Sequence, residues 1–595
     1  MKDSNQSQTT PKRLQWLRAV GEKNLLAIKS FSPKQRVFFV FFVATAILSG
    51  FGIVSLVNKS FMVSIPLPGG SLTEGIVGTP RFINPVLAIS DADKDLVALT
   101  FSGLMRKSAE GELIPDLASG YDLSLDGREY TFTLKNGITW NDGKPLTADD
   151  VVFTIEKVQD ASIRSPKKGS WEGIVAEKVD DRTIKFTLKQ PYAPFIENTT
   201  IGILPKHIWS GLSAEQWGFS SYNVNPIGTG PFKVVKVQQN SYGIPEYYDL
   251  VPFDKFILGK PYIQNLRIKF YAGDDNLVAG YKAGEVESIA AISSEVASSL
   301  EKNGARVERT PLPRVFSVFF NQAEQPIFTS AGVRSALDIA TNKEKIINEV
   351  LFGFATEAVG PLPHGVIGSR GINGNADVST NTYPDESTRI QEAEAVLKKN
   401  GWARNEETGV MEKKVKKKPT ETLSFTLTTS DAPELKQIAN ILKEDWEKIG
   451  ARVEVKVFES GDLNENVIRT RKFNALLFGE IVGTDPDPYA FWHSSQRFDP
   501  GLNIALYANI TTDKLLEKAR ETGDRQKRAD LFAKFQTEVK KDNPAIFLYS
   551  PDFTYILPGG IQGLNLSGIN ISSERFSNIY EWYTRTQMVW KPFAK

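Results

Sequence analysis

Tyr130, Phe132 and Leu134 alternate with Thr131, Thr133 and Lys135, the period-two pattern of a half-buried strand. Asn136-Gly137 follows, a dipeptide favoured in two-residue hairpin turns because both central positions want positive φ. Ile138 and Trp140 then predict a returning strand that ends at Asn141-Asp142-Gly143. Thr147 reads as a helix N-cap, with Asp149 and Asp150 in the first turn to meet the positive end of the helix dipole. Val151, Ile155 and Val158 recur at i, i+4 and i+7, one apolar helix face. The stretch 130–158 therefore predicts a hairpin feeding a capped helix. It names no chemistry by itself.

The same reading places elements along the rest of the chain. Residues 37–57 are uncharged and mostly apolar. At about 1.5 Å per residue they reach roughly 31 Å, the thickness of a bilayer's hydrocarbon core. In residues 1–36, Lys and Arg outnumber Asp3 and Glu22, so this flank is expected in the cytoplasm and everything after about Asn58 outside. A cleaved signal peptide is the rival, but the basic region is long for one and no small-x-small site directly follows the apolar run. Residues 58–70 read as a linker, followed by a strand and a helix from about Ala92. A hairpin over 175–188 should turn at Asp180-Asp181, a strand covers 266–271 and a helix 274–283. Short helices are expected over 333–339, 343–352 and 387–400, with an exposed lysine-rich hairpin at 405–420 (Lys413, Lys414 and Lys416 to Lys418).

From Leu423 the order is strand, helix, strand, helix, strand. Leu423 to Leu427 alternates; a helix capped by Asp431 carries Leu435, Ile438, Leu442 and Ile449 on one face; Val453, Val455 and Val457 alternate; a helix covers 463–470 and a strand 473–478. That order implies a largely parallel sheet with right-handed crossovers. Ligands of such sheets sit beyond the carboxyl ends of the strands, which points to the loop after Phe478. Two helices, 513–520 and 525–540, and an apolar strand, 544–557, complete the pattern.

Composition narrows the function. A chain of 595 residues is too long for one core. With 24% charged residues and a net charge of +1, nothing points to a nucleic-acid partner. The absence of cysteine removes disulfides, thiolate metal sites, a cysteine nucleophile and a lipidated cysteine. The three histidines, His207, His364 and His493, are far apart, so neither a histidine metal site nor a catalytic triad is expected, and no cofactor is implied. Asp91, Asp93 and Asp95 depart from a calcium loop at Leu96, where Gly is needed, and at Ser102, where Glu is needed. No Gly-Lys-Ser/Thr follows the glycines of 225–233, and no serine elbow, zinc helix or Walker pattern occurs. The most unusual polar stretch is 479–496, GEIVGTDPDPYAFWHSSQ, in which Asp485 and Asp487 each precede a proline. Such repeats form turns, can serve as a ligand loop, or can supply a carboxylate pair of the glycosidase kind.

Several literal strings carry a resemblance. YTFTLKNGITWNDGKPLTADDVVF in 130–153, NPIGTGPFK in 225–233 and PAIFLYSPDFTYIL in 544–557 are similar to segments of solute-binding protein family 5. These are the extracytoplasmic oligopeptide-, dipeptide- and nickel-binding proteins of ABC importers, and the likeness covers about 71–581. It implies an α/β, two-lobed, periplasmic-binding-protein-like fold of the class II type, with an extra subdomain in the first lobe, here preceded by one transmembrane helix. The first lobe would span 71–313, the second 314–550, and 551–595 would return to the first, with crossings near 314–321 and 544–557.

The resemblance implies a peptide or other small solute bound in a hinged cleft, ABC permease subunits as partners, and a monomer held to the membrane through 37–57. In the peptide-binding members the 479–496 loop resembles W-x-A-D-Y-P-D-P, and its first aspartate grips the peptide's ammonium group. That position falls on Thr484 here, and the tryptophan position on Ile481. Either Asp485 takes over, or the ligand has no free amino terminus there. Asp487, Tyr489, Trp492 and His493 are candidate cleft residues, Trp171 resembles an aromatic position facing the ligand from the other lobe, and Asn321 ends the first crossing. An anchored hydrolase using Asp485 and Asp487, and a ligand sensor with the same fold, are the alternatives.

Overall fold

The computed structural model describes residues 30–108, 111–367, 385–415, 419–483, 485–566 and 568–594. Thr484, Lys416 to Lys418 and most of the basic segment 1–36 lie outside the described residues. The chain divides into two compact units, 68–584 and a smaller one made of its two flanks.

In the smaller unit a helix runs Pro33–Phe61, past the apolar run 37–57 at both ends, and none of its residues is buried. Ser32 caps it: the Gln35 side chain accepts from the Ser32 N–H at 3.0 Å, and proline occupies the first turn, where no N–H partner is needed. The strand Met62–Leu67 follows, within the stretch expected to be a linker. It pairs antiparallel with Arg585–Trp590, from the stretch expected to finish the first lobe, in register from Met62↔Trp590 to Leu67↔Arg585. Both segments thereby satisfy backbone groups that a bare linker would leave to solvent.

The larger unit is built on a sheet of 12 strands among the described residues. The strand Ala545–Leu557 is shared by its two halves. Its first part pairs with Arg314–Phe320, and its second with Arg306–Pro311 and Ser288–Ala290. The run is apolar rather than alternating because both faces are covered. Ile546 and Leu548 enter one core, Ala545 and Phe547 the core on the opposite face, and Phe553, Tyr555 and Leu557 the core built from the N-terminal half. The two halves give the α/β, two-lobed architecture expected from the resemblance. The strands Ser424–Ser430, Arg452–Phe458 and Ala475–Ile481 are mutually parallel about the first, as their helical crossovers predict.

A separate four-stranded antiparallel sheet holds Glu129–Leu134 between Ala118–Leu123 and Thr183–Thr187, with Val175–Lys178 beyond the latter. This corrects the hairpin expected over 130–140. Both edges of 129–134 are already occupied, so no edge is left for a returning strand. Ile138 and Trp140 are buried as their spacing requires, but 138–146 closes on itself: Trp140 N–H donates to the Lys144 carbonyl at 2.8 Å and Leu146 N–H to Ile138 at 3.1 Å. The capped helix is present as Ala148–Gln159, with Asp150 accepting from the Thr147 N–H at 2.9 Å. A second correction concerns the helix Pro433–Lys448, whose N-cap is Ala432 rather than Asp431, because Pro433 itself takes the first helical position.

The acidic trio at 91–95 belongs to a helix start, Asp91–Thr100. Asp93 accepts from the Arg81 and Phe82 N–H groups at 2.6 and 2.8 Å, and Asp95 faces Arg575. The glycines of 225–233 serve close approach to this helix: a Cβ on Gly228 would lie 1.9 Å from the Thr100 carbonyl oxygen, and Gly230 N–H donates to that oxygen at 2.9 Å.

Candidate ligand site

The strand Ala475–Ile481 lies between its parallel neighbour Ser424–Ser430 and the antiparallel Arg314–Phe320. Its carboxyl end opens into the 482–488 loop, which closes on a single helical turn, Tyr489–Trp492. Two arginines from two following helices meet the two carboxylates of this loop. On Arg525–Asp542, Arg528 donates through Nη2 to both oxygens of Asp485, at 2.7 and 2.6 Å. Burial pushes the Asp485 carboxyl up, against the pull of Arg528 and Arg525. On Ile510–Glu521, Arg520 grips Asp487 in the forked geometry of a guanidinium, Nε at 2.9 Å from Oδ1 and Nη2 at 2.6 Å from Oδ2. The carboxylates thus form two separate ion pairs.

Asp487 also accepts from the Tyr192 hydroxyl at 3.2 Å, and the Ala193 N–H donates to the Arg520 carbonyl at 2.8 Å. Glu112 pairs with Arg525. Residues of the N-terminal half, at 112 and 192–193, therefore touch the loop and helices of the other half at three points. The Arg520 guanidinium lies 3.8 Å from the Tyr489 ring centroid, and Tyr489 stacks on His493 at 4.0 Å. His493 Nδ1 is 2.8 Å from Ser495 Oγ, and its Nε2 is 3.4 Å from Glu517.

Beside this contact lies a cavity of about 320 Å³ lined by Arg106, Lys107, Asp116, Trp171, Glu197 and Tyr580, among others, all from the N-terminal half or 571–580. Lys107 bridges Glu197 at 3.4 Å and Glu574 at 3.1 Å. Burial raises the Glu197 carboxyl; Lys107 opposes the rise and the Asp485 charge adds to it, which ties the cavity electrically to the loop. Asp116 is pushed up to about 6 by burial, with Arg106 opposing. A carboxyl raised on folding stabilises at low pH, and the contribution fades as pH rises through the folded value. Asp116→Asn should therefore flatten the fall in stability between about pH 4 and pH 6. Urea titrations of both proteins across that window measure it; an unchanged slope would remove Asp116 as its source.

The geometry sorts the sequence candidates. Asp485, Asp487, Tyr489 and His493 come together at the loop, and Trp171 lines the neighbouring cavity while packing on Phe186 and Phe195. Trp492 is buried against Phe319, Tyr507 and Phe547, a packing position. Asn321 sits at the end of its strand remote from this loop. Arg314 pairs with Ile481 beside the loop, whereas Phe320 pairs with Ala475, so Asn321 lies roughly 20 Å away at about 3.4 Å per residue. Its side chain donates to the Arg471 carbonyl at 2.7 Å and accepts from the Ala323 and Glu324 N–H groups at 3.1 Å. Sequence reasoning missed Arg520, Arg528 and Tyr192. The available signal was charge: two carboxylates in one short, partly apolar loop need counter-ions.

The family model of the bacterial extracellular solute-binding proteins, family 5 (middle), matches residues 112–499. The chain is 28% identical over 504 residues to the oligopeptide-binding protein AppA of Bacillus subtilis, covering 84% of this chain and 89% of the relative. It is 25% identical over 498 residues to the dipeptide-binding protein of Escherichia coli, covering 79% and 87%. Among solved structures, AppA of Bacillus subtilis in complex with a nonapeptide superposes with a TM-score of 0.64 at 27% identity, over 88% of this chain and 100% of that one. The ABC transporter substrate-binding protein CtaP of Listeria monocytogenes gives 0.71 at 27% identity, over 87% and 99%.

Proposed function

The chain belongs to the bacterial extracellular solute-binding proteins, family 5, and we propose that its solute is a peptide, held between the two lobes and passed to ABC permease subunits. The observation that carries this reading is the set of contacts from 112 and 192–193 to the 482–528 region, which mark the faces that meet when the lobes close. The lobes divide at the crossings 314–320 and 545–557, and closure is a hinge motion about them. Small-angle scattering on residues 68–584 tests this: the radius of gyration should fall when peptide saturates the cleft. An unchanged radius at saturation would reject hinged capture. Mass spectrometry of what co-purifies identifies the peptide to use.

The peptide is held mainly by its backbone, with no carboxylate dedicated to its amino end. Thr484 stands where the resemblance expects the ammonium partner, and Asp485 spends both oxygens on Arg528. Free and N-acetylated forms of one peptide are expected to bind alike in calorimetry. A loss of about tenfold or more on acetylation, some 1.4 kcal/mol, would return Asp485 to the role of ammonium partner.

The helix Pro33–Phe61 serves as an uncleaved anchor that keeps the solute-binding unit outside the membrane. N-terminal sequencing of chain recovered from membranes should find the helix still attached; mature protein in the medium, cut within or after it, would overturn the anchor.

A further inference from the structure

The helix Pro33–Phe61 passes into the strand Met62–Leu67 with no intervening residue, so the position of the strand is fixed relative to the end of the helix. Met62 pairs with Trp590, and Phe61, the last helical residue, stacks on the Trp590 ring at 6.5 Å between centroids. Trp590 therefore stands level with the helix end. If the uncharged run 37–57 fills the hydrocarbon core, Phe61 and Trp590 lie about 6 Å beyond its boundary, at 1.5 Å per residue. That is the headgroup layer, where tryptophan is enriched because its ring is amphipathic.

The partner strand is shaped for that depth. Side chains two apart on a strand share a face, which puts Met588 with Trp590. They are 52% and 48% exposed, and Phe593, in the turn that follows, is 76% exposed. In water these would be three large apolar side chains left open beside the exposed Phe61. In the headgroup layer Trp590 and Phe593 each have a partner, and Lys59 and Lys591 at the same level meet phosphate groups.

We propose that residues 585–594 form an interfacial clasp: the strand Arg585–Trp590 pairs with the strand leaving the membrane helix and lays Trp590 and Phe593 into the phospholipid headgroup layer. This rests on the anchor reading above. Its consequence is that the folded unit is joined to the membrane through both of its flanking segments, at Pro68 and at Thr584, rather than through one free tether.

The cysteine-free sequence permits a direct test on the full chain, reconstituted in vesicles of phosphatidylethanolamine and phosphatidylglycerol. Ser64 and Met588 face each other in the register, so the double variant Ser64→Cys/Met588→Cys should form a disulfide under mild oxidation. In a separate variant, a nitroxide on Phe593→Cys should be relaxed by dissolved oxygen several-fold more, relative to a water-soluble nickel chelate, than one on Leu125→Cys, a fully exposed position in the folded unit. No disulfide, or a label at 593 as open to the chelate as that at 125, overturns the clasp. Both readouts are taken on chain shown by N-terminal sequencing to retain residues 33–61, so the clasp fails or stands separately from the anchor.

Discussion

Arg575→Met is expected to lower the unfolding free energy by about 3–5 kcal/mol, the cost of leaving buried charge without its partner. Arg575 is 1% exposed and holds three elements together. Its Nε donates to Glu74 at 2.8 Å, and its Nη1 and Nη2 donate to Asp95 at 2.9 and 2.7 Å. Glu74 lies on the first strand of the large sheet, Ser71–Val77, and Asp95 on the helix Asp91–Thr100. Tyr555 and Ser288 donate to the other oxygen of Glu74, which brings in the shared strand Ala545–Leu557. Burial alone works against the Arg575 cation, but Asp95 and Glu74 outweigh it and hold it above its ordinary range. Even with this partner, burial raises Asp95 to about 6. Without it, two carboxylates remain in the core, and Asp95, which burial already raises, can relieve part of the penalty by taking up a proton. The deficit should therefore be larger at pH 8 than at pH 5. Urea unfolding of residues 68–584 at both values measures it, and a loss below about 1 kcal/mol would mean that the methionine core repacks well enough to dispense with the network.

The sequence was most legible where local chemistry and tertiary packing ask for the same thing. The helix at 148–159 carries its own cap and its own apolar face, so nothing distant had to be known to place it. The same holds for the 424–481 crossovers, whose parallel order follows from alternating strand and helix periods. The hairpin at 130–140 failed because strand pairing is non-local. Asn136-Gly137 offers a turn, but 129–134 pairs back with the preceding 118–123 on one edge and with 183–187 on the other, and no window around Tyr130 contains the latter. The pairing of 62–67 with 585–590 is the extreme case, joining the two flanks of the folded unit.

The candidate site shows the same division. The loop was located by a rule about parallel sheets, and Asp485 and Asp487 by their unusual setting. Their partners were hidden because Arg520 and Arg528 lie on helices most of whose other charged residues are exposed, and the sequence pattern marks only the apolar faces. Asn321 lies apart from the loop for a geometric reason: ending a strand that crosses between lobes does not say which end of the sheet it reaches, and the antiparallel register with 475–481 sends it away from the loop. Trp492 shares a short helical turn with Tyr489, yet faces the core, where Phe319 and Phe547 enclose it.

Arg520→Met should weaken peptide binding by about 1.5–3 kcal/mol, roughly 10- to 150-fold in Kd, by breaking a contact between the two halves. Arg520 holds the Asp487 carboxylate, and that carboxylate receives the Tyr192 hydroxyl from the opposite half. Burial and the Asp487 charge hold the Tyr192 hydroxyl well above its ordinary range, so it remains a donor throughout the physiological range. Without the guanidinium, Asp487 has no cation to balance it when the halves meet, and closure must expel water from a bare carboxylate. The open form has no such requirement. The loss should therefore appear in the dissociation rate, with the association rate nearly unchanged, because encounter precedes closure. Tyr192→Phe removes only one hydrogen bond and should cost about 0.5–1.5 kcal/mol. In a double-mutant cycle the two changes should be non-additive, since each breaks the same bridge. Stopped-flow binding of the co-purifying peptide to the four proteins gives both rates. Strict additivity, or a loss confined to the association rate, would mean that the Tyr192–Asp487–Arg520 chain is a surface contact that closure does not use.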